Sequence, residues 1–247
     1  MDCAILTAGY GTRLYPVTKG QPKGLIDVAG KVLLERILNK VKELGEIDKV
    51  FIVTNNKFYE KFASWLEDYA GDFKEKIEII NDQTDSDGDR LGTIGDLDFL
   101  IKEKAISDDL FVILGDNLFE FDLNLFMKFF EVKKNTCVIL KYLENKEDVK
   151  NFGVVDLDDD NKVIDFQEKP EQPNSNLIST GLYLLAKKDI DDVSKYKAEG
   201  NDMDKMGFLF EWLSRKGEVY GFVSEDEWWD IGSVEALDEV KRRYSGK

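Results

Sequence analysis

The chain has 247 residues, a formal net charge of −16 and no histidine. The acidic balance argues against binding the phosphate backbone of DNA or RNA, which needs basic surface. The missing imidazole excludes a Ser-His-Asp triad, a His-ligated zinc and a His general base. Cys3 and Cys137 are too few for a disulfide framework. No apolar run reaches membrane-spanning length, and no basic-then-apolar leader stands at the N-terminus. The expectation is a cytoplasmic protein with no membrane partner, its chemistry run by Asp, Glu, Lys, Arg and a bound cation.

The apolar start Cys3-Ala4-Ile5 runs into Leu6-Thr7-Ala8-Gly9-Tyr10-Gly11-Thr12-Arg13-Leu14, which reads as a strand breaking into a tight loop. Gly9 and Gly11 let backbone approach a bulky ligand, and successive N–H groups there make a concave anion site. Arg13 and Lys23 add a planar fork and a mobile point charge. Together these suit a polyphosphate. The dinucleotide fingerprint fails at Leu14, where a third glycine is needed, and the P-loop Gly-Lys-Ser/Thr is absent.

Leu33, Leu34, Ile37, Leu38, Val41 and Leu44 recur at helical spacing, followed by an apolar strand over Lys49–Thr54. Phe58, Phe62, Trp65, Leu66 and Tyr69 mark a second helix; Ile77–Ile80 and Leu110–Leu114 read as further strands. Such alternation predicts a Rossmann-like α/β fold with a mixed, mostly parallel central sheet flanked by helices. Ligands on these sheets bind beyond the carboxyl ends of strands, so the glycine loop and Gly115-Asp116 converge there. Val154–Leu157 and Val163–Phe166 flank Asp158-Asp159-Asp160-Asn161 as a hairpin, and Ile178–Leu184 is another strand. Residues 233–245 read as a closing helix with Ser233 as N-cap. Asp85, Asp87 and Asp89, like Asp156, Asp158 and Asp160, have calcium-loop spacing but lack its glycine and its terminal Glu, and read as solvated turns.

The motifs in series resemble the sugar-1-phosphate nucleotidyltransferases of the glucose-1-phosphate thymidylyl- and uridylyltransferase kind. The resemblance rests on Gly9–Thr18 with Pro22-Lys23, Leu91-Gly92-Thr93-Ile94-Gly95 and Leu114-Gly115-Asp116-Asn117. It continues in Phe166-Gln167-Glu168-Lys169-Pro170, Thr180-Gly181-Leu182-Tyr183 and Trp229-Asp230-Ile231-Gly232, all in family order. It implies a single domain, with a nucleotide-binding half over 1–115 and a sugar-phosphate half over 116–247. It implies an NTP and a sugar 1-phosphate as substrates and Mg²⁺ as cofactor. By resemblance, Arg13 and Lys23 are catalytic, and Ala8, Gly9, Gly11, Thr12, Asn81 and Gly92 bind the nucleotide. Gly153, Glu168, Lys169 and Thr180 bind the sugar phosphate, and Asp116 and Asp230 hold the metal. Segment 81–92 is longer than the family loop, and Thr7 and Gly24 stand where other residues are usual. The base, the sugar and any homo-oligomer are left open. So are two alternatives on the same fold: a phosphorylated polyol or choline as acceptor, and a non-catalytic nucleotide-sensing subunit.

Overall fold

A computed structural model describes residues 1–11, 20–71 and 73–245. Strand β1 (Asp2–Leu6) is followed by a 3-10 turn over Lys23–Leu25, the short pair β2 (Asp27–Val28) and β3 (Lys31–Val32), helix α1 (Leu33–Lys42), β4 (Val50–Thr54), α2 (Asn56–Asp68) and β5 (Ile77–Asn81). Then come α3 (Thr93–Glu103), β6 (Leu110–Leu114), β7 (Asn117–Phe119), α4 (Leu123–Lys133), β8 (Thr136–Tyr142), the single turn α5 (Lys146–Val149), β9 (Gly153–Leu157), β10 (Val163–Glu168) and β11 (Leu177–Leu185). Last are α6 (Ile190–Ala198), α7 (Met206–Lys216), β12 (Val219–Val223), β13 (Trp228–Asp230) and α8 (Val234–Ser245). The fold is mixed α/β, a central, mostly parallel sheet flanked by helices, as the alternation predicts. Among the described residues no helix is long and apolar enough to cross a membrane.

The chain gathers into two compact units. One comprises Met1–Arg90, Ile113–Leu123 and Glu227–Lys247; the other comprises Leu91–Val112 and Asn124–Asp226. In the first, β1, β4 and β5 run parallel, with Ile5 opposite Ile52 and Ile52 opposite Ile79. All of β4 and all but the first residue of β1 are buried. That is why both read as unbroken apolar runs rather than alternating ones. Helix α1 buries Leu33, Leu34, Ile37, Leu38 and Val41, the stripe expected from their spacing. Helix α2 buries Phe58 and Phe62 and ends at Asp68, so Tyr69 lies one residue past it. The carboxyl ends of β1, β4 and β5 share one edge. Gly115 N–H donates to Leu6 O at 2.8 Å, bringing the end of β6 to the same edge. Helix α8 is capped by Ser233, whose Oγ accepts Ala236 N–H at 3.2 Å.

In the second unit β8 lies between β11, antiparallel, and β12, parallel. Strands β9 and β10 form the expected hairpin, Glu168 opposite Gly153. Its turn is closed by Asp158 Oδ1, which accepts Asp160 N–H at 2.9 Å and Lys162 N–H at 2.8 Å. The other acidic loop closes similarly: Asp89 accepts Ser86 N–H at 2.7 Å and Asp85 N–H at 3.1 Å. Helix α7 lays Phe210 against Phe166 and Tyr183, ring centroids 6.2 and 4.3 Å away.

Candidate active site

The glycine loop leaves β1 with Thr7 N–H on Val53 O at 2.9 Å. Ala8 is buried, and its carbonyl accepts Asn55 Nδ2 at 2.7 Å. The same Asn55 side chain caps α2, accepting Phe58 N–H at 3.1 Å. One buried amide thus pins the loop to a helix start and satisfies an orphan donor of that helix. Gly9 has open space where a β-carbon would stand. Gly11 has φ +65°, in the left-handed region that favours glycine. Tyr10 is buried between them and bonds Thr84 Oγ1 at 3.1 Å; Thr84 Oγ1 in turn donates to the buried Asp82 at 2.9 Å. Burial pushes the Tyr10 phenol up, with the nearby carboxylates adding to it, so it stays neutral. Thr12 and Arg13 lie outside the described residues.

Lys23 opens its 3-10 turn directly after Pro22, and its Nζ bonds Asp116 Oδ2 at 3.2 Å. Asp116 follows β6 through Gly115, a position with no room for a side chain. A β-carbon there would lie 2.9 Å from Thr7 Cβ and 3.1 Å from Leu6 O. Beyond Asp116 the chain forms β7, which pairs antiparallel with β13 and sets Asp230 opposite Asn117. Ile231 N–H donates to Asp116 O at 2.9 Å. The two carboxylate residues, 114 positions apart in sequence (230 − 116), are therefore joined by one short ladder. Asn117 is buried; its Nδ2 donates to Leu114 O at 3.1 Å and to Asp116 Oδ1 at 3.3 Å, while its Oδ1 accepts Trp228 Nε1–H at 3.0 Å. Asn81 ends β5 in the same unit, donating to Asn56 Oδ1 at 3.0 Å and accepting Gln83 N–H at 2.9 Å.

The remaining candidates fall in the second unit. Gly92 caps α3 with φ +79°, and a β-carbon there would lie 2.7 Å from Asp204 Cα and nearer still to Met203 O. Its lack of a side chain is thus required by the 203–204 backbone, whatever ligand approaches. Gly153 and Glu168 face each other across the hairpin. The Glu168 side chain lies against Gly207 in the first turn of α7; a β-carbon on Gly207 would stand 2.9 Å from Glu168 Cδ. Burial pushes the Glu168 carboxyl above its ordinary range, with Lys169 and Lys205 pulling back. Lys169 is exposed, has φ +50° and donates its N–H to Phe152 O at 3.1 Å. Thr180 is fully buried and donates Oγ1–H to Ile139 O at 2.9 Å, beside a register shift in β11 where Gly181 has φ +82°.

Asn117 and Trp228 lie in the sequence motifs around Asp116 and Asp230 with no role of their own read from them, and Asn55 and Gly207 lie outside every motif. Asn55 carried a readable signal, an Asn ahead of an apolar-periodic helix. The others depend on contacts across long sequence separations.

Geometry of this kind, a glycine loop with a lysine and carboxylates at the carboxyl edge of parallel strands, marks α/β proteins that bind phosphorylated ligands. Comparison with known proteins narrows the class: residues 3–246 match the Nucleotidyl transferase family, and the chain belongs to it. The bifunctional protein GlmU of Methanocaldococcus jannaschii is 34% identical over 255 residues, covering 100% of this chain and 57% of that protein. A UTP–glucose-1-phosphate uridylyltransferase of a Synechocystis strain is 33% identical over 245 residues, covering 95% of this chain and 61% of its own. The chain thus spans little more than half the length of these curated relatives. Among solved structures, a Bacillus anthracis protein assigned as a glucose-1-phosphate thymidylyltransferase, in complex with sucrose, superposes with a TM-score of 0.83 at 25% identity. That match covers 100% of this chain and 96% of the other.

Proposed function

We propose that the chain is a Mg²⁺-dependent sugar-1-phosphate nucleotidyltransferase of the cytoplasm. One observation carries the reading: Lys23 on Asp116 at 3.2 Å, with Asp230 laddered opposite Asn117, the residue after Asp116, at the strand edge from which the glycine loop leaves. An oxygen of the sugar phosphate attacks the α-phosphorus of the NTP. The new P–O bond forms as the bond to the bridging oxygen breaks, and its electron pair leaves with pyrophosphate. The attacking oxygen is already ionised, so no general base is needed and the missing histidine is no obstacle. Catalysis then rests on alignment and on charge stabilisation. The glycine-loop N–H groups and Lys23, with Arg13, brace the phosphates, while Glu168 and Lys169 hold the sugar hydroxyls and the sugar phosphate.

The donor set fits magnesium. Asp116 and Asp230 are two hard carboxylates, and among the described residues no group of three or more Asp, Glu, His or Cys is arranged as a metal cage. Magnesium commonly takes one or two carboxylates with substrate phosphates and water. Bound there, the ion would act as a Lewis acid toward the α-phosphate.

The name of the Synechocystis relative supports UTP and glucose 1-phosphate as the first pair to try. The test is pyrophosphate release from each NTP against a panel of sugar phosphates, polyol phosphates and choline phosphate, with Mg²⁺. Release only with a non-sugar acceptor would redirect the substrate assignment. NTP binding with no release across the panel would overturn the enzyme reading in favour of nucleotide sensing.

A further inference from the structure

Asn117 and Trp228 sit next to the proposed cation site without belonging to it. An asparagine amide can turn either end toward a neighbour, and here the neighbour decides. The indole N–H only donates, so Trp228 Nε1 at 3.0 Å fixes the Asn117 oxygen on its own side. The Nδ2 hydrogens then face Leu114 O at 3.1 Å and Asp116 Oδ1 at 3.3 Å. Asp116 is gripped from two directions, Lys23 on Oδ2 and Asn117 on Oδ1. Were the amide reversed, its oxygen would oppose a carboxylate oxygen.

The same strand supplies the second carboxylate. Side chains two apart on a strand share a face, so Trp228 and Asp230 project together, Asp230 directly opposite Asn117 and Trp228 diagonal to it. Trp229 turns the other way, with its ring 5.7 Å from that of Tyr244 on α8. The register of β13 thus sets both the place of Asp230 and the orientation of the Asp116 carboxylate.

We propose that Trp228 and Asn117 are positioning residues for the cation: Trp228 orders the Asn117 amide, and Asn117 orders the Asp116 carboxylate. This rests on Asp116 being a cation ligand, as proposed above. The test is a titration of the intact protein with free Mn²⁺ read by electron paramagnetic resonance, with melting temperatures measured alongside. The variants are Trp228→Phe, which keeps an aromatic ring and removes the donor, Asn117→Ser, their double variant, and Asp116→Asn. Partners of metal ligands typically change affinity about 10- to 100-fold when removed. Trp228→Phe and Asn117→Ser should each weaken Mn²⁺ binding about tenfold, and the double variant should be no weaker than Asn117→Ser alone, because the indole acts only through the amide. Asp116→Asn should lose the site. Unchanged Mn²⁺ affinity in folded Trp228→Phe, or penalties that multiply in the double variant, would overturn the positioning role while leaving the ligand assignment intact. Retention of Mn²⁺ by Asp116→Asn would overturn both.

Discussion

Replacing Gly207 by alanine separates fold from function. Gly207 is the second residue of α7, and the Glu168 side chain stands where its β-carbon would be. An added methyl would lie 2.9 Å from Glu168 Cδ and 3.3 Å from Glu168 Cβ, and closer still to Oε2. Non-bonded carbons settle near 3.5 Å or beyond, so Cδ must retreat by at least about 0.6 Å and the carboxylate oxygen by more. Stability has an opposing term: alanine is better than glycine in a helix by up to about 1 kcal/mol. Glu168 is flexible enough to rotate aside, so the net change in stability should stay within about 1 kcal/mol. Function has no such offset. A group misplaced by an ångström can cost about 100-fold when its job is alignment. Gly207→Ala should therefore melt near wild type, keep its Michaelis constant for NTP, and lose about 100-fold in kcat/KM for the sugar phosphate. Two-substrate steady-state kinetics with thermal melts decide it. An unchanged sugar constant, with the same ranking of deoxy analogues, would show that the Glu168 carboxylate does not read the sugar.

Asp116→Asn or Asp230→Asn should abolish turnover in a folded protein; near-wild-type rates for either across a Mg²⁺ titration would sink the metal assignment. Lys169→Ala should chiefly raise the sugar-phosphate Michaelis constant and Arg13→Ala should damage NTP use, so an NTP-only defect in Lys169→Ala would contradict the division of roles. Asn55→Ala loses a helix cap, about 1 kcal/mol, and strands the buried Ala8 carbonyl, about 1–3 kcal/mol; urea unfolding should show a loss of about 2–4 kcal/mol, and a loss under about 1 kcal/mol would show that Asn55 does not pin the loop. Burial raises the Glu168 carboxyl above its ordinary value of 4.5, so its stabilising contribution is present below that value and lost as pH rises through the folded-state value. Glu168→Gln should accordingly melt higher than wild type at neutral pH, with the gap closing on acidification below 4.5; a pH-independent gap would contradict the desolvation argument.

The first half of the chain was legible because β1, β4 and β6 are buried on both faces and α1 on one. Unbroken runs such as Val50–Thr54 and the stripe through α1 can hardly be read otherwise. Helix α3 escaped because its buried face includes Asp96 and Asp98 beside Ile94, Leu97 and Ile101, which breaks the apolar pattern. Helix α4 has helical spacing at Leu123, Phe126, Met127 and Phe130, all buried, but exposed Leu125 and Val132 blur it. The β7–β13 ladder has three residues a side, too short for any periodicity; only the fold reveals that it brings Asp230 to Asp116. The Glu168 setting was half visible: the hairpin followed from its turn, whereas Gly207 comes 39 residues later (207 − 168) from the first turn of a separate helix.

Two departures from the family resemblance, Thr7 and Gly24, explain each other. A β-carbon on Gly24 would lie 3.1 Å from Thr7 Oγ1 and 3.4 Å from Phe62 Cζ, and one on Gly115 would lie 2.9 Å from Thr7 Cβ. The β-branched Thr7 fills space that two glycines leave. One of those glycines adjoins Lys23 and the other adjoins Asp116, so the packing of Thr7 fixes how closely both charge-bearing segments approach the base of the glycine loop. Interiors this dense respond to a single added methyl. A side chain at 24 therefore needs a smaller residue at 7, and the pairing of ammonium with carboxylate is set as much by this uncharged contact as by the attraction between the charges.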